Sequence, residues 1–290
     1  MPLPRIIEKI RFFLLFNSQG VRGRAPALSA YTFFNPMCAV PTPLPGITLL
    51  GLGPGDPALL TRRAWDLLQA APELYVRTRA HPTLAGLPPH LPIHSFDSLY
   101  ETAENFEEVY SQIVETVLAL GRRPQGVIYA VPGHPFVAEA TCPAIYRQAR
   151  AEGLPVRVVE GLSFLDPVFT ALGLDPFPHT SLLDAFELAA AHHPPFPPES
   201  PALIAQLHST ALASDVKLAH MAVYPDEHPV KLIHAAGTSA EQIEDLPLYA
   251  IDRSPSTGLL TCLYLPPLEP YTSLEAFQEM SARLFATSLG

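Results

Sequence analysis

Cysteine is scarce in this chain. Cys38, Cys142 and Cys262 are the only three among 290 residues, far apart and without a C-x-x-C pair. That usage excludes a disulfide framework and a cysteine-built metal site, and it points to a reducing compartment, read here as the cytoplasm. Basic residues are also few, 18 against 28 acidic, for a net charge of −10. Non-specific binding to nucleic acid or to an anionic membrane needs a basic face, so neither partner is expected. No apolar run approaches the roughly 18 residues of a membrane span. His192 and His193 beside Pro194 look like a metal pair, but no third ligand is spaced to join them, and no metal is expected. Ser163 lacks a G-x-S-x-G setting, which removes a hydrolase nucleophile.

What is present is a globular composition, 48% hydrophobic and 16% charged, long enough for two domains with a core each. The 34 prolines, about 12% of the chain and roughly twice the usual share, recur at element boundaries. Only the stretch around Pro194 and Pro201 is dense enough for a long loop.

One stretch, ITLLGLGPGDPALLT at residues 47–61, organises the rest. Residues 47–50 are a short buried-strand pattern. Gly51, Gly53, Pro54, Gly55 and Asp56 follow within six positions. Glycine permits positive φ and close approach, and Asp56 before Pro57 is a good helix start. A helix is expected over residues 58–71. Strand, glycine turn and helix is the usual way an α/β domain presents backbone amides to a ligand, which makes Gly51, Gly53 and Gly55 candidate binding residues. No Gly-Lys-Ser/Thr follows, so this is not a P-loop, and the third glycine of a dinucleotide fingerprint is missing. A tight turn with no ligand remains the alternative.

Residues 1–46 read as a mostly disordered extension. They carry Arg5, Lys9, Arg11, Arg22 and Arg24 against Glu8 alone, a local charge of +4 that leaves −14 for the remainder. The apolar core at residues 12–16 is shorter than the roughly 7–15 of a signal peptide. A short helix over residues 6–16 and a natural start at Met37 are expected. From residue 47 strands and helices alternate. Strands are expected at 73–77, 126–131 and 156–159, and helices at 106–120 and 138–152, the rhythm of a parallel, doubly wound sheet. A second domain starts after Gly161, giving domains 47–161 and 162–290. Its expected helices are 163–173, 211–221 and 274–284, and its strands 181–183, 202–207, 230–235 and 259–265, several of them antiparallel.

Four strand ends then stand in order: GLGPGD at 51–56, VPGHPFV at 131–137, VVEGLSF at 158–164 and HAAGT at 234–238. Together they resemble the tetrapyrrole (corrin/porphyrin) methylase family, whose members transfer a methyl group from S-adenosylmethionine. RTRAHP at 77–82, FDSLYE at 96–101, LLDAFELA at 182–189 and HPVKLIHAAGT at 228–238 are most similar to the branch often fused to a MazG-type nucleotide pyrophosphohydrolase. The resemblance implies a two-domain α/β fold, the first sheet mainly parallel and the second mixed, with S-adenosylmethionine in the cleft between them. It maps cofactor contacts onto Pro54, Gly133, His134, Val137, Ser163, Phe164, Leu207, Ala236 and Gly237. It also implies a small-molecule substrate, a homodimer and a pyrophosphohydrolase acting as a separate partner. The family's second loop commonly reads Gly-Gly-Asp-Pro, and His134 stands here where the carboxylate is usual. Arg77 stands where an aspartate proposed as a base is often found.

Methyl transfer needs alignment more than a catalytic dyad, and a base only if the acceptor must lose a proton. His134 is either that base or a local hydrogen-bonding group. Asp56 reads as a helix cap before it reads as a substrate contact. Arg77, Arg79 and His81 either bind a substrate carboxylate or phosphate or are solvated loop residues. Two functions follow: a methyltransferase, or a non-catalytic module that binds the cofactor or a nucleotide and regulates a partner. An RNA-ribose methylase is disfavoured by the −14 charge.

Overall fold

The structure, a computed structural model, describes residues 46–103 and 105–268. The extension, its short helix, Met37, Cys38 and the helix expected at 274–284 lie outside those residues.

Among the described residues, ten strands form two five-stranded sheets. The first has the order β3-β2-β4-β1-β5 and is parallel throughout. Its strands are β1 (Ile47–Gly51), β2 (Leu74–Val76), β3 (Ile93–Ser95), β4 (Val127–Val131) and β5 (Val156–Val159). All five residues of β1 and all five of β4 are buried, as expected of central parallel strands covered on both faces. Alternate side chains feed separate cores. Ile47, Leu49, Val127 and Tyr129 pack against helices α3 (Phe106–Gly121) and α4 (Thr141–Ala151). Leu50, Ile128 and Ala130 pack against α1 (Arg62–Ala70) through Ala64, Leu67 and Leu68. Each fully buried aliphatic side chain contributes about 1.5–3 kcal/mol relative to exposure.

Helix starts are set by caps. Asn105 Oδ1 accepts from Glu108 N–H at 2.9 Å at the start of α3. The helix expected from residue 58 begins four residues later. Asp56 caps only the 3-10 turn Pro57–Leu59, Leu60 is extended, and Thr61 Oγ1 provides a second cap by accepting from Ala64 N–H. The helix expected from residue 138 begins at Thr141, because Ala138 is left-handed at φ 51 and cannot continue a right-handed helix. The short β3, the polar β9 (Gln242–Pro247), and helices α2 (Asp97–Thr102) and α6 (Ala185–Ala191) carry weak periodicity and were not expected.

The second sheet has the order β6-β7-β10-β8-β9. β6 (Ser181–Asp184) pairs parallel with β7 (Ala202–Ala205). β10 (Thr261–Leu265) runs antiparallel to β7 and β8 (Pro229–His234), and β8 runs antiparallel to β9, so the sheet is mixed. One face packs on α6, on α7 (Thr210–Met221) and on the 3-10 turn Leu248–Arg253. The other meets α5 (Leu165–Leu172), which Gly173 ends in the left-handed conformation.

Candidate functional site

The loop after β1 and the loop after β4 are tied together. Gly53 N–H donates to Gly133 O at 3.2 Å and Gly133 N–H to Gly53 O at 2.7 Å. Gly51 is a packing residue. A Cβ there would lie 2.5 Å from Gly161 N and 2.6 Å from Gly133 O, so three strand ends converge on one point. Gly55 faces the second sheet, where a Cβ would sit 2.7 Å from the Thr238 methyl, and its φ of +148 is itself unfavourable for a side chain. Gly133 is different. Its φ is +66, and a Cβ there would meet only Phe164 N at 4.0 Å, so space lies in front of this turn.

The second sheet contributes its own strained ends. Gln206 after β7 has φ 64 and Ala235 after β8 has φ 50; with Ala138 after β4 they are side-chained residues in the left-handed region, at about 1–2 kcal/mol each. Such strain tends to collect at ligand sites. Gly237 closes the gap between the sheets, where a Cβ would fall 2.7 Å from Pro167 and 3.3 Å from Leu59. Its N–H donates to Glu241 Oε2 at 2.8 Å.

The remaining expected residues divide. Pro54 is buried in the first loop. His134 Nδ1 accepts from Phe136 N–H at 3.0 Å, which is the local role, and His134 O accepts from Val137 N–H at 3.2 Å. Ser163 donates both Oγ–H and N–H to Asp166 Oδ2, at 2.9 and 3.0 Å. Phe164 and Ala236 pack with the core under α5. Leu207 is fully buried in the core on the opposite face, so only its backbone, whose N–H donates to Thr261 O, stands at the strand end. Asp56 is a cap, its Oδ1 accepting from Ala58 N–H at 2.8 Å. Arg79 turns outward. Its guanidinium donates to Ile93 O and its N–H to Asp97 Oδ2.

Arg77 turns inward, at the end of β2, with its backbone N–H on Ala130 O of β4. Its Nη1 lies 3.1 Å from Glu139 Oε1, and the Glu139 side chain is 2% exposed. Burial works against the guanidinium charge, but Glu139 and the nearby Tyr100, Tyr129 and Tyr110 outweigh it and hold the pKa above the ordinary arginine value. Glu139 also accepts from Thr141 Oγ1 at 2.9 Å and Cys142 N–H at 2.6 Å. His81 is 5% exposed, its Nδ1 has no partner, and burial, helped by the Arg77 charge, pushes its pKa down to about 4. Glu139 was missed in the sequence. Its signal was that it is the one carboxylate between β4 and α4.

A cavity of about 890 Å³ opens beside α5, lined by Ser163, Phe169, Leu174, Phe177 and Leu182. It shares Ser163 with the loop residues and is otherwise a separate place. Among the described residues no group of three or more His, Cys, Asp or Glu is gathered to hold a metal, His192 and His193 are exposed, and Cys142 and Cys262 are buried free thiols. No described helix is long and apolar enough to cross a membrane.

Residues 46–252 match the family described as Tetrapyrrole (Corrin/Porphyrin) Methylases. The uncharacterized protein YabN of Bacillus subtilis (strain 168) is 39% identical over 229 residues, 77% of this chain and 45% of YabN. The chain thus spans less than half the length of that curated relative. Among solved structures it is similar to the cobalamin biosynthetic enzyme cobalt precorrin-4 methyltransferase, CbiF, at 18% identity and TM-score 0.55, covering 77% of this chain and 96% of the other. The uroporphyrin-III-C-methyltransferase of Thermus thermophilus is 19% identical at TM-score 0.59, covering 77% and 95%. A form of that enzyme complexed with S-adenyl homocysteine is 20% identical at TM-score 0.52, covering 77% and 98%. At these identities the likeness is one of fold.

Proposed function

The chain belongs to the tetrapyrrole methylase family, and from that membership we propose that it is a methyltransferase using S-adenosylmethionine on a small-molecule acceptor. The observation that carries the reading is the pair of glycine loops locked by the Gly53–Gly133 bridge, with open space before Gly133, together with strand ends of the second sheet held in left-handed strain at Gln206 and Ala235. A close-approaching ligand explains both the bare turn and the strain.

The residues fit a cofactor with an adenine, an amino-acid end and a cationic sulfonium. Gly133, His134, Val137, Gly237 and Leu207 would line it with backbone, chiefly through carbonyl lone pairs because the N–H groups of Gly133, Val137, Gly237 and Leu207 are spent within the protein, while Pro54, Phe164 and Ala236 would shape apolar walls. S-adenosylmethionine would supply an activated methyl group on a good leaving group. The chain's part is to hold donor and acceptor in line and exclude water, a contribution that can reach about 7–11 kcal/mol. His134, with Nδ1 engaged by Phe136 N–H, serves this reading as a loop-shaping residue rather than a base.

Calorimetric titration with S-adenosylmethionine and S-adenosylhomocysteine is the test, and no binding of either at millimolar concentration sinks the reading. Gly133→Ala should lower cofactor affinity at least tenfold while costing about 1–2 kcal/mol of stability through its φ. Normal affinity in that variant would remove this loop from the site.

A second reading is a non-catalytic module that binds the cofactor or a nucleotide and regulates a partner. It is favoured by Arg77 standing where an acid is often found and being neutralised by Glu139. Binding without methyl transfer across a broad acceptor panel would select it. Both readings include a cytoplasmic homodimer, tested by light scattering, and a nucleotide pyrophosphohydrolase as a separate partner. The latter rests on the MazG-like motifs and is tested by co-purification with such an enzyme.

A further inference from the structure

We propose that Arg77 and His81 form an oxyanion site for the methyl acceptor, which would then be an anionic small molecule bearing a carboxylate or a phosphate. The inference rests on the methyl-transfer reading for the acceptor, but neither Arg77 nor His81 is among the expected cofactor contacts.

The position comes first. Arg77 follows β2 directly and its N–H is bonded to β4, so it stands at the carboxyl end of a parallel sheet, where α/β folds bind ligands. Glu139, which holds it, is saturated: its oxygens take Arg77, Thr141 Oγ1 and Cys142 N–H. Arg77 is not sealed in return. One nitrogen, Nη1, reaches the carboxylate, where a purely structural pair commonly uses two, and 24% of its side chain faces solvent.

His81 is the second observation. A buried polar atom without a partner calls for an explanation, and Nδ1 of this nearly enclosed histidine is one. Its neighbour Pro82 lies 3.7 Å from where a Gly55 Cβ would stand, and Thr83 Oγ1 donates to Leu52 O, so the segment roofs the first glycine loop. Burial and the Arg77 charge keep the imidazole neutral at pH 7. A neutral ring with Nδ1 unclaimed can carry its proton there and donate to an oxyanion.

The flank suits the rest of such a molecule. Tyr100 and Tyr110 are close enough to act on the Arg77 charge. Phe106, 56% exposed, lies edge-on to Tyr100 at 6.4 Å and stacks on Tyr110 at 6.1 Å. An aromatic line beside a half-open guanidinium fits a compact apolar or aromatic body with an anionic head. Arg79 is not part of it, because its donors are spent on Ile93 O and Asp97.

The test is calorimetric titration of the full chain with phenyl phosphate and with benzoate, benzyl alcohol serving as the neutral control. At least one anion should bind saturably in the millimolar range, and the tighter of the two names the head group; benzyl alcohol should not bind. Arg77→Lys, which keeps the pairing charge, should weaken binding several-fold, and His81→Asn likewise. Arg77→Met with Glu139→Gln, which removes both buried charges together, should weaken it tenfold or more. S-adenosylhomocysteine affinity should change less than twofold in all of them. If the double variant does not fold, the Arg77→Lys and His81→Asn titrations decide. Absence of anion binding to the wild type, or equal binding to the variants, overturns the site. Arg77-dependent anion binding without S-adenosylhomocysteine binding would sink the methyl-transfer reading and leave the oxyanion site standing. The converse result would remove the oxyanion site alone.

Discussion

The two sheets turn their chains at the strand ends by different means. In the parallel sheet the crowded point is made of glycine: Gly51 and Gly161 let three strand ends touch backbone to backbone. In the mixed sheet the same kind of turn is made by Gln206 and Ala235, which keep side chains and accept left-handed strain. Coverage differs as well. β1 and β4 are sealed by helices on both faces, whereas among the described residues one face of the mixed sheet meets α5 alone. The parallel half is therefore a close-packed platform with little room for substitution at Gly51 and Gly161, though it too carries a left-handed residue at Ala138, whereas the mixed half makes its strand-end turns with such residues at Gln206 and Ala235. The difference separates glycines required for packing from a turn, at Gly133, that is bare without a protein neighbour to demand it.

The comparison can be broken most forcefully at its tightest point. Gly51→Ala should destabilise the protein by about 3 kcal/mol or more, since the new methyl meets backbone on two sides and nothing flexible can yield. Chemical denaturation measures it, and a loss below about 1 kcal/mol would mean that the platform is softer than its geometry.

Acid tests the halves against each other, because each buries a histidine. Burial, with Arg77 second, holds His81 at about 4, and burial also lowers His220, which lies against Phe196 and Tyr224 in the mixed half. A base whose folded pKa lies below its unfolded value of about 6.5 leaves stability intact above that pH. It withdraws stability as the pH falls towards the folded value. His81 alone should remove about 3 kcal/mol between pH 6.5 and pH 4, from 1.36 kcal/mol per pH unit. Denaturation midpoints against pH for His81→Asn and His220→Asn check this. A flatter acid limb in the first variant assigns it to the platform, and in the second to the mixed half.

At the seam, Gly55→Ala should cost about 1–3 kcal/mol from φ and from the Thr238 methyl. Combining it with Thr238→Ser should recover part of that loss and none of the φ cost. Strict additivity in a double-mutant cycle would show that the two loops do not touch in solution.

The smallest effect is expected on the strained side. Ala235→Gly relieves left-handed strain but adds unfolded-state entropy, so stability should change by less than about 1 kcal/mol. The informative reading is cofactor affinity, which should fall if the strain holds the strand end ready for a ligand.

Much of this was legible along the chain, and the reasons are particular. The five-residue apolar strands β1 and β4 and the long amphipathic α3 follow from burial on both faces and from a 3.6-residue period, both local signals. Gly173 announced the end of α5 because few residues but glycine close a helix in that conformation. The four strand-end motifs named the family because each keeps its spacing within one βα or strand–turn unit. The start of α1 escaped because Asp56 and Thr61 are both good caps, and only packing decided that the first would serve a 3-10 turn. β9 escaped because an edge strand of polar residues has no pattern of its own and exists by pairing with β8.

The sequence by itself determined what depends on neighbours a few residues away: strand, turn and helix type, and the family. Tertiary structure decided what depends on residues meeting across the fold. It set Gly51 against Gly161, separated by 110 positions, and aimed Gly55 at Thr238. It turned Arg77 inward onto Glu139 while Arg79, two residues on, turned out to Ile93 and Asp97. No local pattern distinguishes those two arginines, because on a strand end two residues apart their identities are the same and only the partner that burial brings within reach differs.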